Sequence, residues 1–489
     1  MKIIGKEAET KIFKQLLDSE KPEFVAIHGR RRVGKTYITA TFFEKARCTF
    51  FHSTGLRNGA QEIQIKQFID ELSRVFYAGQ ALSQALNWYD SFAQLTRAIE
   101  SFKSKKKIVI FFDELPWMST PKSDLMSALE FYWNRHWSRD ARICLIVCGS
   151  SASWIQENII DNKDGLYNRV TRVMHIQPFT LLETQAFLHS KKINYPPKQV
   201  CEIYMALGGI PYYLDFLQAD YSVAQNIEFV FFTPSAPLID EFDRLYASLF
   251  NSHELYEDLV IAMSKHRYGL EISELSEKTG QSKGGTLTKR LLELEEAGFI
   301  EKFLPYQNNE RGHYYRLIDE FSIFYLHWVA PYKKDLKKKD QGSGYWIHLS
   351  KSPSFYAWAG YAFEAVCYKH LKQIREGLNI TPDSRISTWR YSPSKNSKGV
   401  LSEGAQIDLL FDRPDGAITL CEIKYTQKPL IIDKALHENL NQKKRVFELQ
   451  TKTDKLIFIA LISAQGIKPN LYSDNLTRSV LTLENLFQP

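Results

Sequence analysis

The sequence predicts a multi-domain α/β protein, and three observations carry that expectation. The stretch "FVAIHGRRRVGKTYITATFF" reads strand, glycine-containing loop, helix. Two apolar runs, "IVIFF" and "ICLIV", carry no polar alternation, the pattern of parallel strands buried on both faces. Near the other end, "GAQIDLLFDRPDGAITLCEIKYTQ" reads as a β-hairpin closed by an Asp-Gly turn. A length of 489 residues leaves room for several such domains.

The first element has a chemical reading. Gly29 to Thr36 spell GxxxxGKT between a strand and a helix. Gly29 and Gly34 permit turns that aim backbone N–H groups at phosphate oxygens, and the helix N-terminus adds its dipole. Lys35 can reach the β- and γ-phosphates, and the Thr36 hydroxyl can ligate Mg²⁺. Arg32, Val33 and Tyr37, within and just after the loop, join the candidate ATP-contacting set. The run Ile108 to Phe112 then ends in Asp113, placed to hold Mg²⁺, and Glu114, placed to orient or deprotonate an attacking water. The run ending in "VCGSS" offers Ser150 and Ser151, either as a sensor of the γ-phosphate or as a helix N-cap. Arg169 and Arg172 follow. An arginine near a γ-phosphate stabilises transition-state charge, in its own or a neighbouring subunit, but basic residues also simply occupy surfaces.

Two further boxes make a family resemblance. "IIGKEAETKIFKQL" resembles the F-x-G-R-E-x-E-L box of STAND and archaeal-type AAA+ ATPases, with Lys6 in place of arginine. "LGGIPYYLDFL", residues 207 to 217, resembles their GxP box, which carries over to Pro211 with Gly209 before it. Together with the P-loop, "FFDELP" and "VCGSS", the resemblance spans about residues 2 to 220. It implies a P-loop ATPase core over 1–178, a helical lid over 179–250, and Pro211 near the adenine base. On the residues alone, "GGIP" is a turn between two helices.

Residues 251–330 give three short amphipathic helices and then an alternating segment around a polar loop, the order of a winged helix. Gly280 ends the second helix and Ser282 is expected to cap the third. Ser282, Lys283, Thr286 and Lys289 would lie near its exposed leading end, and Arg311 on the wing. Two readings stand side by side. One is a DNA-reading module; the other is an internal packing module, favoured by Glu293, Glu295 and Glu296 further along the helix. Residues 331–350, with five lysines in "PYKKDLKKKDQGSGYW", read as a linker or exposed loop.

The last part, 351–489, holds a second candidate site. Glu422 and Lys424 are two apart on one strand and so share a face. Asp408 lies on the preceding strand, and Glu364 stands in a mainly apolar helical run, "FYAWAGYAFEAVCYKHLKQI". Asp408 and Glu422 are hard oxygen ligands for Mg²⁺, Glu364 can complete the site, and Lys424 can orient water and offset phosphate charge. The plainer reading of Glu422 and Lys424 is an ion pair on a half-exposed strand. The set resembles the PD-(D/E)xK nuclease fold over about residues 355 to 465, with Gln442 and Lys443 on the next helix. The resemblance implies a restriction-endonuclease-like domain and Mg²⁺-dependent phosphodiester cleavage.

The totals set bounds. The net charge of +7 is mildly basic and agrees with a nucleic-acid partner, DNA before RNA. No run approaches the ~18 apolar residues of a membrane span. The six cysteines form no CxxC pair, and the N-terminus has no apolar stretch of signal-peptide length, so a cytoplasmic protein is expected. The combined expectation is an ATPase that gates nucleic-acid cleavage. The alternative is a STAND-like ATPase switch that binds DNA or protein, with a non-cleaving last domain. A homo-oligomer is compatible with either.

Overall fold

The apolar runs become strands that meet at one edge. In the computed structural model, which describes residues 2–120, 122–162, 165–308, 312–337, 344–393, 403–476 and 479–489, the chain divides into two units, Met1–Pro178 and Phe179–Pro489. The first holds β1 (Glu23–His28), β2 (Thr49–Thr54), β3 (Ile108–Asp113), β4 (Ile143–Gly149) and β5 (Arg172–His175). They form one sheet in the order β2-β3-β4-β1-β5, and every pairing is parallel. Every residue of β3 and β4 is buried, which is why neither sequence alternates. One face is covered by the helices Gln61–Phe76, Trp88–Ser101 and Leu125–Arg135, whose Phe68, Trp88 and Phe92 join Phe112 of β3 in one apolar cluster. Because the strands run the same way, the residues that follow β1, β3 and β4 lie at a common edge, where open α/β sheets bind ligands.

The second unit begins with helices, including Leu181–Ser190, capped by a Thr180–Glu183 box, and Pro197–Leu207. Gly209 follows in a close contact: a Cβ there would lie 1.9 Å from the Phe179 carbonyl oxygen. Next come the helices His253–Ser264, Ile272–Thr279 and Gly285–Glu296 with β6 (Leu270–Glu271), β7 (Ile300–Phe303) and β8 (Tyr314–Leu317). These strands form an antiparallel sheet in the order β6-β8-β7. Gly280 ends the second helix at φ 70°. The expected cap by Ser282 is not made: Gly284 occupies the N-cap position of the third helix and no side chain caps it. Ser282, Lys283, Thr286 and Lys289 are exposed, and Arg311 lies outside the described residues.

The last sheet contains β9 (Arg385–Tyr391), β10 (Ala405–Asp412), β11 (Ala417–Lys424), β13 (Leu456–Ser463) and β15 (Ser479–Leu481), in the order β15-β13-β11-β10-β9. A short parallel pair, β12 (Leu430–Ile431) and β14 (Ile467–Lys468), stands apart. β9, β10 and β11 are antiparallel neighbours, whereas β11, β13 and β15 are parallel. Gly416, at φ 78°, supplies the turn between β10 and β11.

The segment read as a linker is described at 331–337 and 344–350, where parts of it are packed; Lys338 and Lys339 lie outside the described residues. Trp346 is buried, and the Glu228 carboxylate accepts from the backbone N–H groups of Gly344, Tyr345 and Trp346. Lys333 and Lys337 pair with Asp240, and Lys333 also pairs with Asp243. Lys333 and Lys337 thus satisfy acids on and beside a neighbouring helix, and Trp346 docks. Among the described residues no helix is long and apolar enough to cross a membrane. The six cysteines are free thiols, all but Cys48 buried.

Phe112 tests the first core. It is fully buried, and its ring stacks on Phe92 at 5.6 Å. Phe112→Ala is expected to destabilise the first unit by about 3–5 kcal/mol, read as an earlier unfolding transition in urea.

Candidate functional site

The first site is assembled by the loop after β1. Gly29 cannot carry a side chain: a Cβ would lie 2.3 Å from the carbonyl oxygen of Ile176, just past β5. Gly34 has open space but sits at φ 90°, in the left-handed region, and caps the helix Lys35–Lys45. Arg32 also takes positive φ, 72°, so the loop winds tightly between the two glycines. Val33 is buried, and Tyr37 is exposed on the following helix. Lys35 is 5% exposed; its Nζ donates to the carbonyls of Gly29 (2.9 Å) and Arg30 (3.1 Å) and to Ser150 Oγ (3.1 Å).

The ends of β3 and β4 complete it. Thr36 Oγ1 donates to Asp113 Oδ2 at 2.8 Å. Asp113 Oδ1 is buried and receives no N–H or O–H donor. Beside it the Cys148 thiol is raised well above its ordinary value by burial and by Asp113. A hydroxyl and a buried carboxylate with a spare oxygen fit a hard divalent cation such as Mg²⁺. Glu114, in the left-handed region at φ 48°, is held by Ser150, whose N–H and Oγ both donate to its carboxylate. The two serines therefore divide the roles left open by the sequence. Ser151 is the N-cap, accepting from Trp154 N, and Ser150 faces Lys35 and Glu114.

Not every expected residue joins. Arg172 pairs with Val25 in β1 while His175 pairs with His28, beside the loop. Arg169 precedes Arg172 and is exposed, so it lies toward the opposite end of the sheet. Pro211 opens the short helix Pro211–Leu214 in the second unit. The sequence reading passed over His28 and His175, whose rings stack at 4.6 Å. Burial, His175 and Lys35 lower His28 to about 4, so the ring beside the loop is neutral.

The second site lies on β10 and β11. Leu409 pairs with Cys421, so Asp408 and Glu422, one step along each strand, come side by side. Glu422 is 5% exposed. One oxygen binds Lys424 Nζ at 2.7 Å and the other binds Lys443 Nζ at 2.6 Å, from the helix Lys434–Thr451. The ion pair is thus real, and it belongs to a larger cluster. Asp408 Oδ2 accepts a long bond, 3.5 Å, from Ile423 N–H, and Oδ1 accepts from Gln406 Nε2 at 3.4 Å. Burial, and then repulsion by Glu422, raise the Asp408 carboxyl. Burial, and then Asp408, raise Glu364 on the helix Pro353–Lys369, against the pull of Arg267.

The expected metal cage of Glu364, Asp408 and Glu422 is not formed as such. Among the described residues no three His, Cys, Asp or Glu side chains stand in a metal-holding group. The physical reason is that Glu422 turns both oxygens to lysines. The donor chemistry still fits Mg²⁺, since Asp408 and Glu364, both held above the ordinary carboxylate range, gain from a neutralising cation. Arg267 and Gln406 were missed, because nothing in their local sequence ties them to a carboxylate far along the chain.

Glu364 gives a signed pH prediction. Its folded pKa is raised, so the native state holds the proton more tightly than the unfolded chain does. Its contribution to stability is present at acid pH and lost as pH rises from the ordinary carboxylate range toward the raised value. Glu364→Gln is expected to raise the thermal midpoint more at alkaline than at acid pH. Equal shifts across the pH range would contradict this account.

Comparison with known proteins bears on the first site. Residues 4–217 match the model of a family described as an ATPase domain predominantly from Archaea. An uncharacterised protein of Methanocaldococcus jannaschii is 25% identical over 462 residues, covering 91% of this chain and 92% of its own. A Walker-type ATPase of Pyrococcus abyssi superposes with a TM-score of 0.50 at 16% identity, covering 66% of this chain and 96% of that one, a likeness of fold alone. The ORC2 protein of Aeropyrum pernix, in its ADPNP–ADP complexes, reaches a TM-score of 0.42 at 12% identity over 68% and 92% of the two chains, too distant to bear on function. Residues 4–217 are thus similar to an ATPase domain of the archaeal type, and they contain a parallel α/β sheet.

Proposed function

We propose that this protein hydrolyses ATP and uses its nucleotide state to control Mg²⁺-dependent cleavage of nucleic acid, DNA before RNA. In this reading the modules are a P-loop ATPase with a helical lid, a winged helix, and a nuclease-like last domain. The single observation that carries the cleavage half is the cluster around Glu422. Two acids and a lysine from adjacent strands, with Lys443 from a helix, converge at one point of the last sheet.

The first site supports ATP turnover residue by residue. Backbone N–H groups of the loop bind phosphates, and Lys35 neutralises their charge. Thr36 and Asp113 would hold Mg²⁺, which would neutralise the charge developing on the phosphates. Glu114 orients or deprotonates the water, and Ser150 fixes Glu114 through two hydrogen bonds. Ser150→Ala is expected to leave ATP binding near that of the parent and to lower kcat by roughly tenfold or more, in the range of a lost positioning bond. Unchanged kcat would remove Ser150 from the mechanism. Arg169 would stabilise transition-state charge on a γ-phosphate, in its own or a neighbouring subunit.

In the second site Asp408 and Glu422 would hold Mg²⁺ with Glu364 beside them, and the cation would polarise the phosphodiester. Lys424 would release Glu422 to orient the attacking water, while Lys443 keeps the carboxylate in place. Lys424→Ala is expected to abolish cutting of plasmid and single-stranded DNA while ATP hydrolysis persists. If the parent protein cuts neither DNA nor RNA with Mg²⁺ or Mn²⁺, with or without ATP, the cleavage reading fails.

The alternative, an ATPase switch with a non-cleaving last domain, draws on one observation: Glu422 is already neutralised by two lysines. Under it, Lys424→Ala changes no cleavage because none exists.

A further inference from the structure

We propose that a groove between the loop before β6 and the strands β9 and β10 binds the backbone of a single-stranded nucleic acid and leads it to the Glu422 cluster. The inference rests on the cleavage reading above for its second half only.

The groove has a volume of about 560 Å³ and is lined by Lys265, His266, Arg267, Tyr268, Arg390 and Gln406, among others. Lys265, Arg267 and Arg390 bring three positive charges from two distant parts of the chain, and Glu274 is the one carboxylate in the described lining. Such a concentration of cations repels itself and favours an anionic ligand. The arginines are also held in place by aromatic rings. Arg390 lies over Tyr268 at 5.5 Å, and Arg267 over Tyr361 at 5.2 Å. Guanidinium groups on rings in a basic groove suit an unpaired strand, whose bases stack and whose phosphates need cations. The volume is that of a small-ligand cleft, room enough for unpaired nucleotides.

The floor of the groove touches the second site. Gln406, which lines it, donates to Asp408 at 3.4 Å. Arg267, also in the lining, is one of two cations, with Lys424, that pull on Glu364. A strand lying in the groove therefore ends beside the carboxylates. The loop itself is built for close packing: Gly269 sits at φ 105°, and a Cβ there would lie 2.9 Å from the Tyr315 carbonyl oxygen.

The test is fluorescence anisotropy of a labelled oligothymidylate with the full chain in EDTA, where no cutting occurs. The parent protein is expected to bind, and Arg390→Ala and Lys265→Ala are each expected to weaken binding several-fold. Each should also reduce the dependence of log K on log salt by about one counterion. Both groove variants should retain ATP turnover as a check of folding. Parent-like affinity and salt slope in both groove variants would overturn the proposal, as would preference for an acidic peptide over the oligonucleotide. Weakened binding without any cleavage by the parent would keep the groove and dismiss the nuclease. Cleavage with unaltered binding in the groove variants would do the reverse.

Discussion

Glu422 is the point on which the second unit turns. A carboxylate buried in the middle strand of a sheet is unstable without partners, because removing it from water costs several kcal/mol. Here Lys424 and Lys443 provide them. That pairing fixes two things at once. It requires the β10–β11 register to hold, since a slip of one residue would turn Glu422 and Lys424 to the other face. It also requires the helix Lys434–Thr451 to lie where Lys443 can reach, which its Val446 and Phe447 secure by packing against Ile418 and Leu420. Charge and core thus specify the same arrangement.

The first unit solves a related problem with backbone. Its charged groups gather because five strands run parallel and end at one edge. Glu114 and Arg32 adopt left-handed conformations there, a local strain that the surrounding sheet and helix must hold. Lys35, Ser150 and Glu114 form one connected chain of hydrogen bonds across three segments of sequence. Any change in what Lys35 touches is therefore felt at Glu114 through one serine.

The features legible in the sequence were those set by neighbours along the chain. The P-loop, the acid after β3 and the Asp-Gly hairpin each depend on a few consecutive residues, and periodicity and turn chemistry suffice for them. The side chain of Lys443 could be placed on a helix but not tied to Glu422 without the fold. Lys333 and Lys337 misled because lysines usually mean solvent, whereas here Asp240 and Asp243 lie within reach. Ser282 misled because a serine near a helix start is a common cap, yet the helix begins after Gly284. Arg267 and Gln406 were invisible, since their roles arise only when the helical module meets the last sheet.

That meeting has one more consequence. β9 is one of the two outer strands of the last sheet, and outer strands present unpaired backbone groups to any passing chain. The segment after β7 lies along it: Tyr306 N–H donates to the Thr388 carbonyl, and Ser387 Oγ donates to the Leu304 carbonyl. Tyr306 then packs on Phe447 at 5.5 Å. The hairpin that would serve as a wing is therefore partly spent as a guard on the sheet's rim. Its cover makes the helical module a built-in defence against strand-to-strand aggregation, and a last domain separated from it would carry an adhesive edge.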